Sequence, residues 1–245
     1  MQIMDSVYKK NGFSLIEVLL AVGTLAIGMI FIGGTFFTGI YFSTLATERT
    51  IAAVVTDEAF AKIRLYGIDP NQSALTVDNL VLFENINSDV DADEYAYPSI
   101  KTSTEKQYYW SALCRRVDSD ENNRLVQVTV FVSRKMGLRV TYPGDAERPT
   151  PVEVEISTVA GSGNENRLII TLADEQKYIN DGCTIADNQT GQLYRVIERL
   201  ADSPDTIVLD RAWQGEATGS VWVVPPPVNG GRNPCIAVYQ RVVRF

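Results

Sequence analysis

The chain has 245 residues, 45% hydrophobic and 21% charged, enough for one large domain or two small ones with ordinary cores. Its formal net charge of −8 excludes a surface built for phosphate backbones, since Arg115-Arg116 and Arg134-Lys135 are interrupted by apolar and acidic residues. There is no histidine, which excludes Ser-His-Asp and Cys-His nucleophile activation and the commonest zinc ligand, while carboxylate and lysine chemistry stay open.

The first feature in chain order is KKNGFSLIEVLL, Lys9 to Leu20, which places Glu17 at the edge of an uncharged run from Val18 to Thr47. Those 30 residues would span about 45 Å as a helix, more than the ~30 Å hydrocarbon core of a bilayer. The run is too long for the apolar part of a cleaved secretory signal. Lysines before the span and an acidic remainder after it predict a cytoplasmic N-terminus and an outward-facing body. Beyond Thr47, ERTIAAVVTDEAFAKIRLYG repeats Ile51, Val54, Val55, Ala59 and Ile63 at helical spacing, with most charges on the other face. Gly67 and Pro70 close the pattern, so one helix from about Ser14 to Tyr66 is expected, roughly 80 Å long.

KKNGFSLIEVLLAVGTLAIGM resembles the N-terminus of type IV pilins and type II secretion pseudopilins. The resemblance covers roughly Lys9 to Gly67, and its L-A-I-G-M-I portion is closer to minor than to major subunits. It implies a basic leader, with Lys9 and Lys10, that a membrane prepilin peptidase cuts after Gly12. The same enzyme would methylate Phe13. It assigns Glu17 to subunit assembly, through pairing with the new N-terminal amine, and implies a long helix laid on an antiparallel sheet. The partners implied are the peptidase, other pilins or pseudopilins, the inner membrane and the assembly platform; nucleic acid is not among them. Many family members carry a proline within the apolar run. This chain has Gly33-Gly34 instead, which either loosens the helix or permits close packing.

Downstream the periodicity changes to two. YYWSALCRRV and RLVQVTVFVSRK flank DSDENN and predict a hairpin, Tyr108 to Val117 with Arg124 to Lys135. Residues 76–106 are expected to be irregular. Asp89, Asp91 and Asp93 have the spacing that opens an EF-hand loop, but Glu94 takes the glycine position and Ile100 the bidentate one. Asp118, Asp120 and Asn122 fail likewise, with Asn123 and Thr129 in those places, so solvated turns are expected and no metal site.

Residues 143–166 read as a linker with one strand at Val152 to Val159. Beyond it RLIITL, CTIAD, QLYRVIERL, TIVLD, SVWVVP and IAVYQRVVRF predict a small barrel or sandwich. The alternative is that Ile236 to Phe245 returns to the preceding sheet. PPPVNGGRNP reads as a rigid connection, or else as a loop that meets a partner. Of three cysteines, Cys114, Cys183 and Cys235, one pair can bridge outside the cytoplasm. Cys183 with Cys235 is preferred by their shared segment, and reduced thiols throughout are the alternative.

The expected fold is therefore α+β. A long N-terminal helix, membrane-spanning in its first half, packs on an antiparallel sheet, and a small all-β domain follows. The divisions are 1–12 leader, 13–47 apolar helix half, 48–142 head, 143–166 linker and 167–245 accessory domain. The expected function is that of a minor pilin or pseudopilin of the bacterial inner membrane, single-pass, without cofactor and without catalytic residues. Against it stands a membrane-anchored hydrolase or ligand-binding protein whose active unit is the C-terminal β-domain; Asp174, Glu175, Asp187, Glu198, Asp202, Asp205 and Asp210 are its candidate acids.

Overall fold

The computed structural model describes residues 14–100, 106–120, 123–137 and 140–245. It divides into two compact units, 1–48 and Arg49–Phe245. Helix α1, Leu15–Tyr66, belongs to both, and by length and composition it can cross a membrane. In the first unit its side chains face outward, Leu15 at 83% and Phe31 at 71% exposure. The hydroxyls of Thr24, Thr35, Thr38, Thr44 and Thr47 donate to helix carbonyls three or four residues back, at 2.8–3.0 Å. These hydroxyls therefore need no water, which suits a helix in hydrocarbon. The helix ends where the sequence predicts. Gly67 adopts φ +76°, and its N–H returns to the Ile63 carbonyl at 3.0 Å, a left-handed cap that favours glycine.

In the second unit the later part of α1 buries Ala52, Val55, Ala59, Phe60 and Ile63 against an antiparallel sheet. That sheet contains β1 (Val81–Leu82), β2 (Ala96–Tyr97), β3 (Tyr108–Arg116), β4 (Leu125–Arg134) and β11 (Cys235–Arg244). Its order is β1-β3-β4-β11, with β2 also on β3. Trp110, Ala112 and Cys114 of β3 join Val126, Val128, Val130 and Val132 of β4 in the cluster under α1. The alternate residues Leu113 and Phe131 lie in a second cluster on the opposite face. Both faces are covered, which is why β4 reads as an almost continuous apolar run.

The cover on that second face is a closed six-stranded barrel, ordered β10-β5-β6-β9-β8-β7. Its strands are β5 (Val152–Thr158), β6 (Arg167–Ile170), β7 (Thr184–Asp187), β8 (Leu193–Leu200), β9 (Ser203–Leu209) and β10 (Thr218–Val223). Val154, Ile156, Leu168, Ile170, Ile185, Tyr194, Val196, Ile207, Val221 and Val223 fill its interior. Closure removes edges that six short strands would otherwise leave open.

The observed divisions differ from the sequence reading at three places. β5 lies inside the expected 143–166 linker and is a barrel strand, because Val154 and Ile156 point into the barrel core. The approach to β5 is packed as well: the Arg148 guanidinium stacks 4.1 Å from the Tyr95 ring centroid and pairs with Glu84. β11 leaves the barrel and pairs along its length with β4, so the alternative of a returning last strand describes the chain. Residues 76–106 hold β1, β2 and a four-residue helix, Phe83–Ile86, elements too short to show a period.

Candidate functional site

Of the residues assigned to processing and assembly, Lys9, Lys10, Gly12 and Phe13 lie outside the described residues. Glu17 is described. It is exposed in the first turn of α1, where the helix dipole favours an acid. The Ser14 carbonyl accepts from the N–H groups of Glu17 at 3.1 Å and Val18 at 3.2 Å, and the Ser14 hydroxyl accepts from Glu17 N–H at 3.3 Å. Ser14 is thus the N-cap and Glu17 the third helical residue, the positions of a capping box. Sequence reasoning missed this local role; the spacing Ser-x-x-Glu was the available signal.

The acidic stretch 89–94 is held by lysines. Lys106, 6% exposed, donates to the Asp93 carbonyl at 3.0 Å and lies 3.3 Å from its carboxylate. Lys62 donates to the Glu94 carbonyl at 2.6 Å and lies 2.8 Å from the Glu94 and 3.2 Å from the Glu58 carboxylate. Trp110 Nε1 donates to the same Glu94 carbonyl at 2.9 Å. The second acidic cluster is a turn: Asp118 accepts from Asp120 N–H at 3.3 Å and from the Asn123 amide at 3.5 Å. These hydrogen bonds hold its carboxyl below the usual carboxylate range. Among the described residues no group of three or more Cys, Asp or Glu is placed to hold a metal ion.

The candidate acids of the barrel mostly serve its backbone. Glu175 accepts from Glu155 N–H at 2.8 Å and Asp210 from Arg195 N–H at 3.1 Å. Asp187 accepts from Gln189 N–H at 3.2 Å and Thr190 N–H at 3.3 Å, shaping the β7–β8 turn. An open groove of about 650 Å³ on the barrel exterior is lined by Glu153, Glu155, Glu175, Ser157, Thr171 and Ser220. Glu153 there accepts from the Asn188 amide at 3.0 Å and from the Ser220 hydroxyl. The groove therefore presents carboxylates already engaged in the fold.

The β7–β8 turn is itself a docking device within the second unit. Gly191 carbonyl accepts from the side-chain amides of Gln127 on β4 at 3.1 Å and Gln240 on β11 at 2.7 Å. Arg115 of β3 donates to the Gln189 carbonyl. Asn188 accepts from Leu80 N–H at 2.9 Å and Trp222 Nε1 at 2.9 Å through one side-chain oxygen. Leu80, Leu113, Phe131, Ala186 and Val224 form the apolar part of the same junction. The connection from β10 to β11 buries Pro225, Pro226 and Pro227 and exposes Val228 to Arg232. Its prolines form a rigid strap, as the first of its two readings expects.

No protein-family model, no curated protein and no solved structure matches the chain.

Proposed function

We propose that this chain is a minor pilin or pseudopilin. In this reading a prepilin peptidase cuts between Gly12 and Phe13 and methylates Phe13. The mature subunit enters a type IV pilus or type II secretion pseudopilus with other pilins, from an inner-membrane platform. The body lies on the periplasmic side and carries the barrel as an accessory module.

One observation carries the reading: the division of labour along α1. Its first part is uncharged from Val18 to Thr47, hydrogen-bonds its own threonines and turns apolar side chains outward. Its later part buries a single face on an antiparallel sheet. A plain membrane anchor needs about 20 apolar residues and no such continuation. A subunit that exchanges lipid for neighbouring helices needs both parts, and Glu17 supplies the one charge able to pair at the entrance.

The test is processing. N-terminal mass spectrometry of the chain from native membranes is expected to begin at N-methyl-Phe13. A chain that retains Met1 in that setting, or is cut elsewhere, overturns the family reading.

A further inference from the structure

We infer that Cys183 and Cys235 are a disulfide-forming pair that ties the barrel to the last strand of the head sheet, and that Cys114 is held apart from both. The inference needs the chain to meet a disulfide oxidant as it folds, and beyond that it does not depend on the pilin reading.

Elimination comes first. Cys114 and Arg241 both register with Val128, on β3 and β11 respectively, and Cys235 begins β11 six residues before Arg241. At about 3.3 Å per residue this separates Cys114 from Cys235 by roughly 20 Å along the strands. A disulfide requires Cα atoms within about 7 Å. Cys114 is fully buried in the cluster under α1, whereas Cys183 is buried in the barrel core on the other side of the sheet. Packed layers lie about 10 Å apart, so this pair is excluded too.

Cys183 and Cys235 meet from the two sides of the barrel–sheet junction. Cys183 stands one residue before β7, at the barrel rim. Ile185, two residues on, pairs with Val223 of β10, and Val224 follows it directly. Val224 packs in the same cluster as Cys235. The two sulfurs also sense each other: burial pushes the Cys235 thiol up to about 12, and the next contribution in size is charge on Cys183. Burial likewise raises Cys183 to about 12.

The chemistry is thiol–disulfide exchange. One cysteine thiolate attacks a sulfur of an external disulfide and expels a thiolate, leaving a mixed disulfide. The second cysteine thiolate displaces the other half. Two protein thiols are oxidised, one external disulfide is reduced to two thiols, and the protons of the protein thiols pass to those leaving groups. Raising a thiol from about 9 to about 12 lowers its thiolate fraction near neutral pH roughly a thousandfold. The bond therefore forms while the chain folds, and slowly or not at all after the junction has closed.

The experiment refolds the reduced full chain from urea into detergent micelles with oxidised glutathione, alkylates remaining thiols and maps unreduced peptides by mass spectrometry. The expected result is a Cys183–Cys235 cross-linked peptide with Cys114 alkylated. The cross-link should persist in Cys114→Ser and vanish in Cys183→Ser and in Cys235→Ser. Adding the oxidant only after folding should lower its yield at least roughly tenfold, as the buried thiols require. Refolded chain with three alkylated cysteines, a bridge to Cys114, or bridges between chains only, would overturn the pairing. If micelle refolding fails, the same map on chain exported to an oxidising cell envelope, alkylated before lysis, decides between these outcomes.

Discussion

At the scale of single residues, Glu17 carries two roles that one substitution can separate. The lone acid beside an apolar run was legible in the sequence, but its capping geometry depends on where the helix starts, and that is visible only with Ser14 placed outside the first turn. Gln keeps a capping-competent side chain at this position and removes the charge. If Glu17 pairs with a neighbour's amine, Glu17→Gln and Glu17→Leu should both reduce filament incorporation in co-expression pull-downs. An amine left unpaired at about 3 kcal/mol corresponds to a loss of roughly a hundredfold. Cleavage and membrane insertion should continue in both variants, and full incorporation of the Gln variant would remove the pairing role. Gly191 is the second residue of note. Its φ is +68°, and an added Cβ would lie 2.6 Å from the Gln127 amide and 3.2 Å from the Arg115 side chain. Gly191→Ala is expected to cost about 1–2 kcal/mol from the left-handed backbone alone, with more from displacing Gln127, read as a lower urea midpoint. Gly219→Ala, where nothing lies within 4 Å and φ is not left-handed, is the control and should not destabilise. The sequence marked neither glycine, because a docking turn is defined by the surface it meets.

At the scale of elements, the long periodic segments were legible and the short ones were not. α1, β3 and β4 follow from helical spacing, alternation and a polar hairpin turn. β1 and β2, at two residues each, exist only because β3 offers an edge to pair with. β5 was seen as a strand and given to a linker, since Pro and Gly on both sides mimic a boundary; only its partners β6 and β10 place it in the barrel. The two faces of the sheet differ in what they hold, and Phe131 is the largest fully buried side chain of the sheet in its barrel-side cluster. Phe131→Ala should lower stability by about 3–5 kcal/mol, measured by denaturant unfolding. Val54→Ala, at an exposed position on α1, should stay within about 0.5 kcal/mol. A fragment beginning at Thr47 retains every element of the second unit and should be soluble, with mixed helix and strand by circular dichroism. Aggregation of that fragment on removal of the apolar part would count against an independently folded second unit.

At the scale of the whole second unit, the sheet and the barrel are joined by chain connectivity as well as by contact. Residues 160–163 and 228–232 are exposed, and Arg232 offers trypsin a cleavage site. Cleavage there is expected to leave the fragments associated on native size exclusion, since β11 pairs with β4 from Cys235 to Arg244 and Arg241 meets Asp57 at 3.0 Å. Release of the C-terminal fragment without denaturant would show that this pairing does not hold it. The returning strand also has a consequence for the order of events during synthesis. β4 and β11 are separated by about a hundred residues that make up the whole barrel and its connections. A nascent chain must therefore expose the unpaired edge of β4 until the entire barrel has emerged. Closing a contact over so long a separation is slow compared with forming the β3–β4 hairpin. The ribosome, or the machinery that moves the body across a membrane, would then deliver a finished barrel to an unfinished sheet, and that open edge marks the interval in which a chaperone or a second copy could bind it.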